Sequence, residues 1–154
     1  MAKARYFLHR SGIATVADDS GLAVRALNGR PGVRSKRWSG RPDLSGQALD
    51  DENNRLLLEA LAAHSDRAAA YVCAAAYADR HAEFVSRGEV QGAIALEARG
   101  NNGFGYDPYF LSDELGCSFG EASRETKELV SHRGRAFRAL ISMLNSYWNE
   151  RAGS

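Results

Sequence analysis

The sequence predicts a protein of the α/β class, because its 154 residues carry two different hydrophobic periodicities. Apolar residues recur at helical spacing around residues 50–61 and again around residues 137–148. Residues 68–78 and 83–90 instead alternate with the period of two that is typical of strands. Small side chains on both faces of the first alternating stretch indicate close packing against helices.

Composition is that of an ordinary globular protein, with 44% apolar and 25% charged residues. The length suits a single domain over residues 1–154 with a real core. A net charge of +1, from 20 basic and 19 acidic residues, offers no electrostatic case for binding nucleic acid or a membrane. We therefore expect neither as a partner.

Several observations favour a cytoplasmic location. No apolar run approaches the length needed to cross a bilayer, and the first residues lack the apolar stretch of a secretory signal. Cys73 and Cys117 are too few for a disulfide framework and lack metal-ligand spacing.

The first third of the chain reads as one helix followed by two short strands. Residues 2–9 favour a helix without an evident N-cap, which Ser11 and Gly12 end. Residues 13–17 and 22–27 are predicted as strands. Glycines and a proline then indicate a loop, and an irregular basic segment leads to Gly46.

A longer helix follows, with Asp50 or Asp51 as its cap and one apolar stripe: Leu56, Leu57, Ala60 and Leu61. Residues 68–78 form a long strand whose hairpin partner is residues 83–90. Residues 91–96 are a further strand candidate after an irregularity at Gly92.

Residues 18–21 (Asp-Asp-Ser-Gly) have two interpretations. Asp, Ser and Gly are common turn residues, so a surface turn between the two short strands is one of them. Adjacent carboxylates repel each other unless a cation or several N–H donors accompany them, and a hard metal ion prefers oxygen ligands. The second interpretation is therefore a metal site beside a phosphate.

A loop rich in glycine and aromatic residues follows the strands. Gly103 and Gly105 allow the backbone to approach a ligand closely, and Phe104 and Tyr106 offer aromatic faces between them. Asp107 precedes a proline and is biased towards an extended conformation. The alternative is a glycine-rich hairpin whose aromatic residues lie in the core.

The C-terminal region predicts a short helix capped by Ser123 and a long last helix that starts at residues 131–134. The core stripe of that last helix is Phe137, Leu140, Ile141, Leu144 and Trp148. His132 and Arg133 lie at its start, where free N–H groups favour an anion or a carbonyl oxygen. A solvated basic turn fits the same residues.

Four motifs occur in order at residues 18–22 (Asp-Asp-Ser-Gly-Leu), 28–33 (Asn-Gly-Arg-Pro-Gly-Val), 103–108 (Gly-Phe-Gly-Tyr-Asp-Pro) and 131–134 (Ser-His-Arg-Gly). Together they resemble the signatures of the inosine triphosphate pyrophosphatase family. The resemblance runs from about Lys3 to Leu140 and includes residues 37–40 and 52–54.

The resemblance implies hydrolysis of deaminated purine nucleoside triphosphates (ITP, dITP or XTP) to a monophosphate and pyrophosphate. It also implies Mg²⁺ as cofactor, a homodimer, and an elongated mixed α/β fold with two lobes and a central cleft. Asp19 matches the position that binds the metal and activates water, and Asp18 beside it is expected as a second acidic group and metal ligand. The remaining matches are substrate contacts: Ser20, Phe104, Gly105, Tyr106, Asp107, Lys127, His132 and Arg133.

The chain departs from the family pattern at its N-terminus. Members begin with a strand and a Ser/Thr-Gly-Asn-x-x-Lys phosphate loop, followed by a helix with a metal-binding glutamate, and none of these has a counterpart here. We therefore expect an exposed sheet edge or groove. A smaller departure is Lys36, where the family usually has alanine.

Two functional hypotheses follow. In the first, the protein is the pyrophosphatase of this family. In the second, it is a truncated, non-catalytic remnant that binds nucleotide weakly or pairs with a complete paralogue. Intact residues at the matched positions favour the first.

Overall fold

Five strands and four α-helices make up residues 1–152, the part of the chain that this computed structural model describes. The elements are α1 (Ala2–Ser11), β1 (Thr15–Val24), β2 (Arg30–Gly32), α2 (Gly46–Ala60), β3 (Ala68–Ala78), β4 (Glu83–Ile94), β5 (Phe110–Ser112), α3 (Arg124–Val130) and α4 (His132–Ala152), with 3₁₀ turns at Arg25–Leu27 and Ser35–Arg37. None of the helices in this range combines the length and hydropathy needed to cross a membrane.

The strands form one sheet in the order β2-β1-β3-β4-β5, with helices packed against it. The predicted α/β class is confirmed. All four strand pairings within residues 1–152 are antiparallel. A tight turn reverses the chain between β3 and β4, where the Asp79 carboxylate accepts hydrogen bonds from the N–H groups of His81 and Ala82. So short a connection leaves only the antiparallel arrangement.

The predicted turn at residues 18–21 is wrong, because these residues lie in the middle of β1. Asp18 pairs with Ala75 and Gly21 with Val72 in an unbroken ten-residue register between β1 and β3. The two short strands predicted on either side are therefore one strand, which ends at the 3₁₀ turn Arg25–Leu27. Backbone pairing with β3 outweighs the local turn preference of Asp, Ser and Gly.

Gly21 is required for space, since a Cβ atom at this position would lie 2.2 Å from the carbonyl oxygen of Gly32 in β2. The β2 strand pairs only with residues 22–24 of β1. Residues 15–21 therefore form an edge of the sheet within the described chain, as the sequence led us to expect.

Side chains pack on both faces of the sheet. Alternate residues of β3, including Cys73 and Ala75, face Leu140 and Leu144 of α4. On the other face, Ala76 and Ala78 pack against Ala4 of α1. The largest cluster lies between the sheet, α2 and the segment around β5, and its members include Leu22, Leu57, Leu61, Tyr71, Phe110 and Phe119.

The core stripe of α4 differs from the prediction. Ala136, Leu140 and Leu144 are buried, whereas Ile141 and Trp148 are 53% and 49% exposed. The cause is the close approach of α4 to β4, where a Cβ atom at Gly88 would lie 2.0 Å from the carbonyl oxygen of His132. A small alanine fits this contact.

Other element boundaries also differ from the prediction. Helix α2 begins at Gly46 with Ser45 as N-cap, so Asp50 and Asp51 lie inside it and do not cap it. Strand β4 runs through Gly92 without a break. Gly92 serves close packing, since a Cβ atom there would lie 2.1 Å from the carbonyl oxygen of Leu111 in β5, a strand that the sequence did not predict.

The crowding at Gly21 predicts that Gly21→Ala destabilises the fold. The added methyl group must push β2 away from β1, at a cost of about 3 kcal/mol in the free energy of unfolding. Urea denaturation measures this change. Ala74→Val, at an exposed position of β3, is the control that adds bulk without crowding. Equal midpoints for the two variants would contradict the packing argument.

Candidate active site

One cavity of about 900 Å³ lies beside the exposed part of β1. Its size is within the range of small-molecule sites. It brings together every residue that the sequence predicted for the site: Asp18, Asp19, Ser20, Phe104, Gly105, Tyr106, Asp107, Lys127, His132 and Arg133. These residues come from β1, the loop 103–107, α3 and the start of α4.

The two adjacent carboxylates point to opposite faces of β1, as successive residues of a strand do. Asp18 lies on the face of α4 and forms an ion pair of 2.9 Å with Arg133. The Ser20 hydroxyl, two residues further on the same face, lies 3.5 Å from the same Asp18 oxygen. The cavity reaches both carboxylates because this part of β1 is at the sheet edge.

Asp19 lies on the opposite face, and no hydrogen bond or ion pair within residues 1–152 occupies its carboxylate. Its free oxygens suit a hard divalent cation, which takes oxygen ligands. No cluster of three or more metal-ligating side chains exists in the described chain. A cation at Asp19 would therefore need oxygens from a ligand or from water to complete its coordination. Lys3 steadies this edge by donating a hydrogen bond of 2.7 Å to the carbonyl oxygen of Asp18.

The ring of His132, the first residue of α4, forms part of the cavity wall. Its ring stacks on Tyr71 at 4.6 Å between centroids and 7° between planes. Burial, and then the positive charges of Arg133 and Lys127, lower the pKa of His132 from 6.5 to about 4. The imidazole is therefore neutral at pH 7. Its Nδ1 atom is buried and has no hydrogen-bond partner within residues 1–152.

The loop 103–107 combines the two alternatives, because one of its aromatic side chains is available to a ligand and the other lies in the core. Phe104 is 65% exposed, whereas Tyr106 and Asp107 are buried. The Asp107 carboxylate accepts hydrogen bonds from the Phe104 N–H (2.7 Å) and from Lys127 Nζ (2.5 Å). A Cβ atom at Gly103 would collide with this carboxylate. The buried Asp107 carboxylate therefore fixes the backbone from which the exposed Phe104 ring projects.

Lys127 connects this loop to α3. Its ammonium group lies 5.2 Å from the ring centroids of both Phe104 and Phe119. At this distance the cation attracts both aromatic faces. The sequence predicted Lys127 as a substrate contact, and here it also stabilises the position of Phe104.

Several residues of the cavity wall were not predicted from the sequence. Tyr71 belongs to β3, and the strand pattern explained it as core. Asp50 and Asn53 lie buried on α2, and Lys36 extends towards Asp50. The available signal was the pair of polar residues on the same side of α2 as the leucine stripe, which a purely structural helix face rarely carries.

The cavity combines three chemical properties. Carboxylates of β1 line it together with the cations of Lys127 and Arg133. Flat aromatic surfaces at Phe104 and His132 complete the wall. Such a site suits a ligand that has a planar ring, hydrogen-bonding groups on its edge, and negative charge that a cation can share.

Comparison with known proteins places this arrangement in a family. The sequence pattern of the Ham1 family matches residues 1–143. A dITP/XTP pyrophosphatase of Frankia alni is 47% identical over 147 residues, which are 94% of this chain and 73% of that protein. A dITP/XTP pyrophosphatase of Mycolicibacterium paratuberculosis is 48% identical over 149 residues, covering 95% of this chain and 71% of that protein.

Solved structures agree in fold. The Ham1 protein of Staphylococcus aureus superposes with a TM-score of 0.85 at 35% identity, covering 94% of this chain and 73% of that chain. The HAM1 protein of Coxiella burnetii gives the same TM-score at 38% identity, covering 94% of this chain and 74% of that chain. With its sequence pattern, its relatives and its fold in agreement, this chain belongs to the Ham1 family.

Proposed function

We propose that this protein hydrolyses deaminated purine nucleoside triphosphates (dITP, ITP or XTP) to the monophosphate and pyrophosphate, and so removes them from the nucleotide pool. The observation that carries the proposal is the convergence of all predicted site residues on one cavity. The relatives named dITP/XTP pyrophosphatase support the substrate class. The whole chain acts as a single pyrophosphatase domain.

The base would bind at the end of the cavity formed by the loop 103–107. Phe104 offers an exposed ring that can stack on any purine. His132 and Arg133 offer N–H donors to the base edge, which suit the C6 carbonyl of hypoxanthine or xanthine. The C6 amino group of adenine would face donors and leave them unpaired, which a buried site penalises strongly. Gly105, Tyr106 and Asp107 shape this pocket from the loop side.

The triphosphate would extend from there towards β1. Asp19 would hold Mg²⁺ at its carboxylate and would accept a proton from the attacking water. Asp18, expected as a second metal ligand, lies on the opposite face of β1 in an ion pair with Arg133, and Ser20 and Lys127 would contact the substrate. Bound Mg²⁺ supplies neutralisation of the charge that develops on the phosphate oxygens. No hydrogen bond or ion pair within residues 1–152 occupies the Asp19 carboxylate, so its oxygens are available to a cation and to water, which supports this proposal.

The homodimer and the cytoplasmic location belong to the same proposal. The free thiols of Cys73 and Cys117 suit a reducing compartment. Exposed apolar side chains on α4, among them Ile141 and Trp148, provide surface for a second copy.

The direct test is release of pyrophosphate from dITP, XTP and dATP by the purified chain with Mg²⁺. We expect turnover of dITP and XTP and at least about a hundredfold lower kcat/KM for dATP, because of the unpaired donors. Equal turnover of dATP would contradict the proposed selectivity. Binding of dITP without any turnover would favour the alternative of a nucleotide-binding protein without catalysis.

Asp19→Asn should lower kcat for dITP by about 10²- to 10⁴-fold, because the amide cannot accept the proton of water. The steady-state rate of pyrophosphate release measures this effect. Asp113→Asn makes the same chemical change at an exposed position outside the cavity, and should leave the rate unchanged. Undiminished hydrolysis by Asp19→Asn would rule out Asp19 as the base.

Phe104→Leu should raise KM for dITP and for dATP by the same factor, about tenfold, because stacking contributes about 1–3 kcal/mol per base without distinguishing one purine from another. The ratio of the two kcat/KM values is the relevant measurement. If that ratio changes more than KM itself, then Phe104 discriminates between bases. The proposal that Phe104 only stacks, while His132 and Arg133 read the base edge, would then be wrong.

The half-buried His132 should titrate near pH 4 in the folded protein, which imidazole NMR resonances can follow. The unfolded chain binds this proton near pH 6.5, so the folded state loses stability as pH falls from about 6.5 towards 4. His132→Gln removes that contribution, and its free energy of unfolding should fall less steeply over the same interval. A titration midpoint near 6.5 would contradict the burial argument.

A further inference from the structure

Helix α2 carries buried polar side chains on the side that faces the cavity. Asp50, Asn53 and Asn54 are only 6%, 2% and 6% exposed, next to the fully buried Leu57. Buried charged and amide groups normally have hydrogen-bond partners that account for their burial. The partners of these three side chains lie in the segments that border the base end of the cavity.

Two of the three hold Gly105 from both sides of its backbone. The Asp50 carboxylate accepts a hydrogen bond of 2.9 Å from the Gly105 N–H. The Asn54 side-chain amide donates one of 2.9 Å to the Gly105 carbonyl oxygen. Residues four apart share one face of a helix, so a single helix face can hold both groups at once. Gly105 has a φ of +65°, which only glycine adopts without strain.

The other carboxylate oxygen of Asp50 binds Lys36 Nζ at 2.7 Å, which balances the buried charge. Asn53 attaches the neighbouring segment, since its side-chain oxygen accepts from the Ser39 N–H at 2.8 Å. The Tyr106 hydroxyl donates to the carbonyl oxygen of Ser35 at 2.8 Å and completes the attachment. Two attachments therefore hold the backbone next to Phe104. Gly105 is bound to Asp50 of α2, and Asp107 is bound to Lys127 of α3.

We propose that Asp50 and Asn54 are positioning residues for nucleotide recognition, which hold Gly105 so that the ring of Phe104 is already placed for the base. This inference rests on the proposed function. A loop that is ordered before binding loses less conformational entropy when the ligand arrives, so holding it strengthens binding. Neither residue needs to touch the reacting phosphates, and we expect their loss to affect KM and leave kcat nearly unchanged.

The Asn54 side chain shows a further feature that suits positioning. Its oxygen is buried without a hydrogen-bond partner in the described chain, while its nitrogen holds Gly105. A half-paired buried amide is a poor stabiliser, because the unpaired oxygen has lost its water. An apolar side chain of similar size would serve the core at least as well, so the distinctive contribution of Asn54 is the hydrogen bond to the loop.

The test compares four variants of the full chain. Asp50→Leu removes the acceptor for the Gly105 N–H, and Asp50→Asn keeps an acceptor but removes the charge. Asn54→Leu removes the donor to the Gly105 carbonyl. Asp51→Asn is the matched control, since Asp51 is exposed on the same helix and its side chain accepts only from Gln47 within residues 1–152. Circular dichroism and urea denaturation verify that each variant folds.

The first measurement is hydrogen exchange of the Gly105 amide by NMR, which needs no catalysis. We expect exchange to accelerate about tenfold or more in Asp50→Leu, through loss of the hydrogen bond. It should stay near the wild-type rate in Asp50→Asn and in Asp51→Asn. Unchanged exchange in Asp50→Leu would overturn the proposal. Equal acceleration in Asp50→Asn and Asp50→Leu would also overturn it, because charge and not the hydrogen bond would then be responsible.

The second measurement is binding of dITP without Mg²⁺, together with KM and kcat with Mg²⁺. We expect Asp50→Leu and Asn54→Leu to weaken binding and raise KM roughly threefold to tenfold. Unchanged binding, or a fall in kcat without a rise in KM, would overturn the positioning role. A wild-type chain that binds but does not turn over dITP would overturn the proposed function alone, and exchange and binding would still decide the present inference.

Discussion

The ten-residue pairing of β1 with β3 is the constraint on which the acidic end of the site depends. Because β1 stays extended through residues 18–21, neighbouring carboxylates are directed to opposite faces of the sheet. Asp18 therefore lies on the face of α4 and pairs with Arg133, whereas the Asp19 carboxylate has no partner within residues 1–152. Had the chain turned here, both carboxylates would have faced the same solvent and repelled each other. The sheet thus distinguishes two residues that are identical in type.

The two cations of the cavity wall lie close to the His132 ring, which is itself uncharged. Arg133 pairs with Asp18, and Lys127 pairs with the buried Asp107. Burial, together with the positive charges of Arg133 and Lys127, lowers the pKa of His132, so its ring is uncharged at neutral pH. A neutral imidazole can lie flat against Tyr71 without an unpaired buried charge. The stacking and the depressed pKa are therefore two results of the same packing.

Local pattern predicted the elements that depend on local interactions. The alternating pattern of residues 68–78 predicted the bounds of β3. The predicted cap of α3 is also present, since the Ser123 hydroxyl accepts a hydrogen bond from the Thr126 N–H. Prediction failed where distant residues decide the conformation. Residues 18–21 form a strand because β3 lies beside them, and Asp50 is buried because Lys36 and Gly105 satisfy it. The family motifs identified the cavity residues, but their spacing contains no information about which carboxylate is paired.

The two ends of the cavity differ in how strongly their side chains are held, and this difference bears on how a base could be selected. Asp50 and Asn54 of α2 hold Gly105, and Asp107, which is paired with Lys127 of α3, holds the Phe104 N–H. At β1, by contrast, the Asp19 carboxylate has no hydrogen bond or ion pair within residues 1–152. A rigid base end can select by edge chemistry at little entropic cost, because its donors do not rearrange to suit a wrong base. Under the proposed function, discrimination between bases would therefore come from the donors of His132 and Arg133, because the Phe104 ring would stack on any purine.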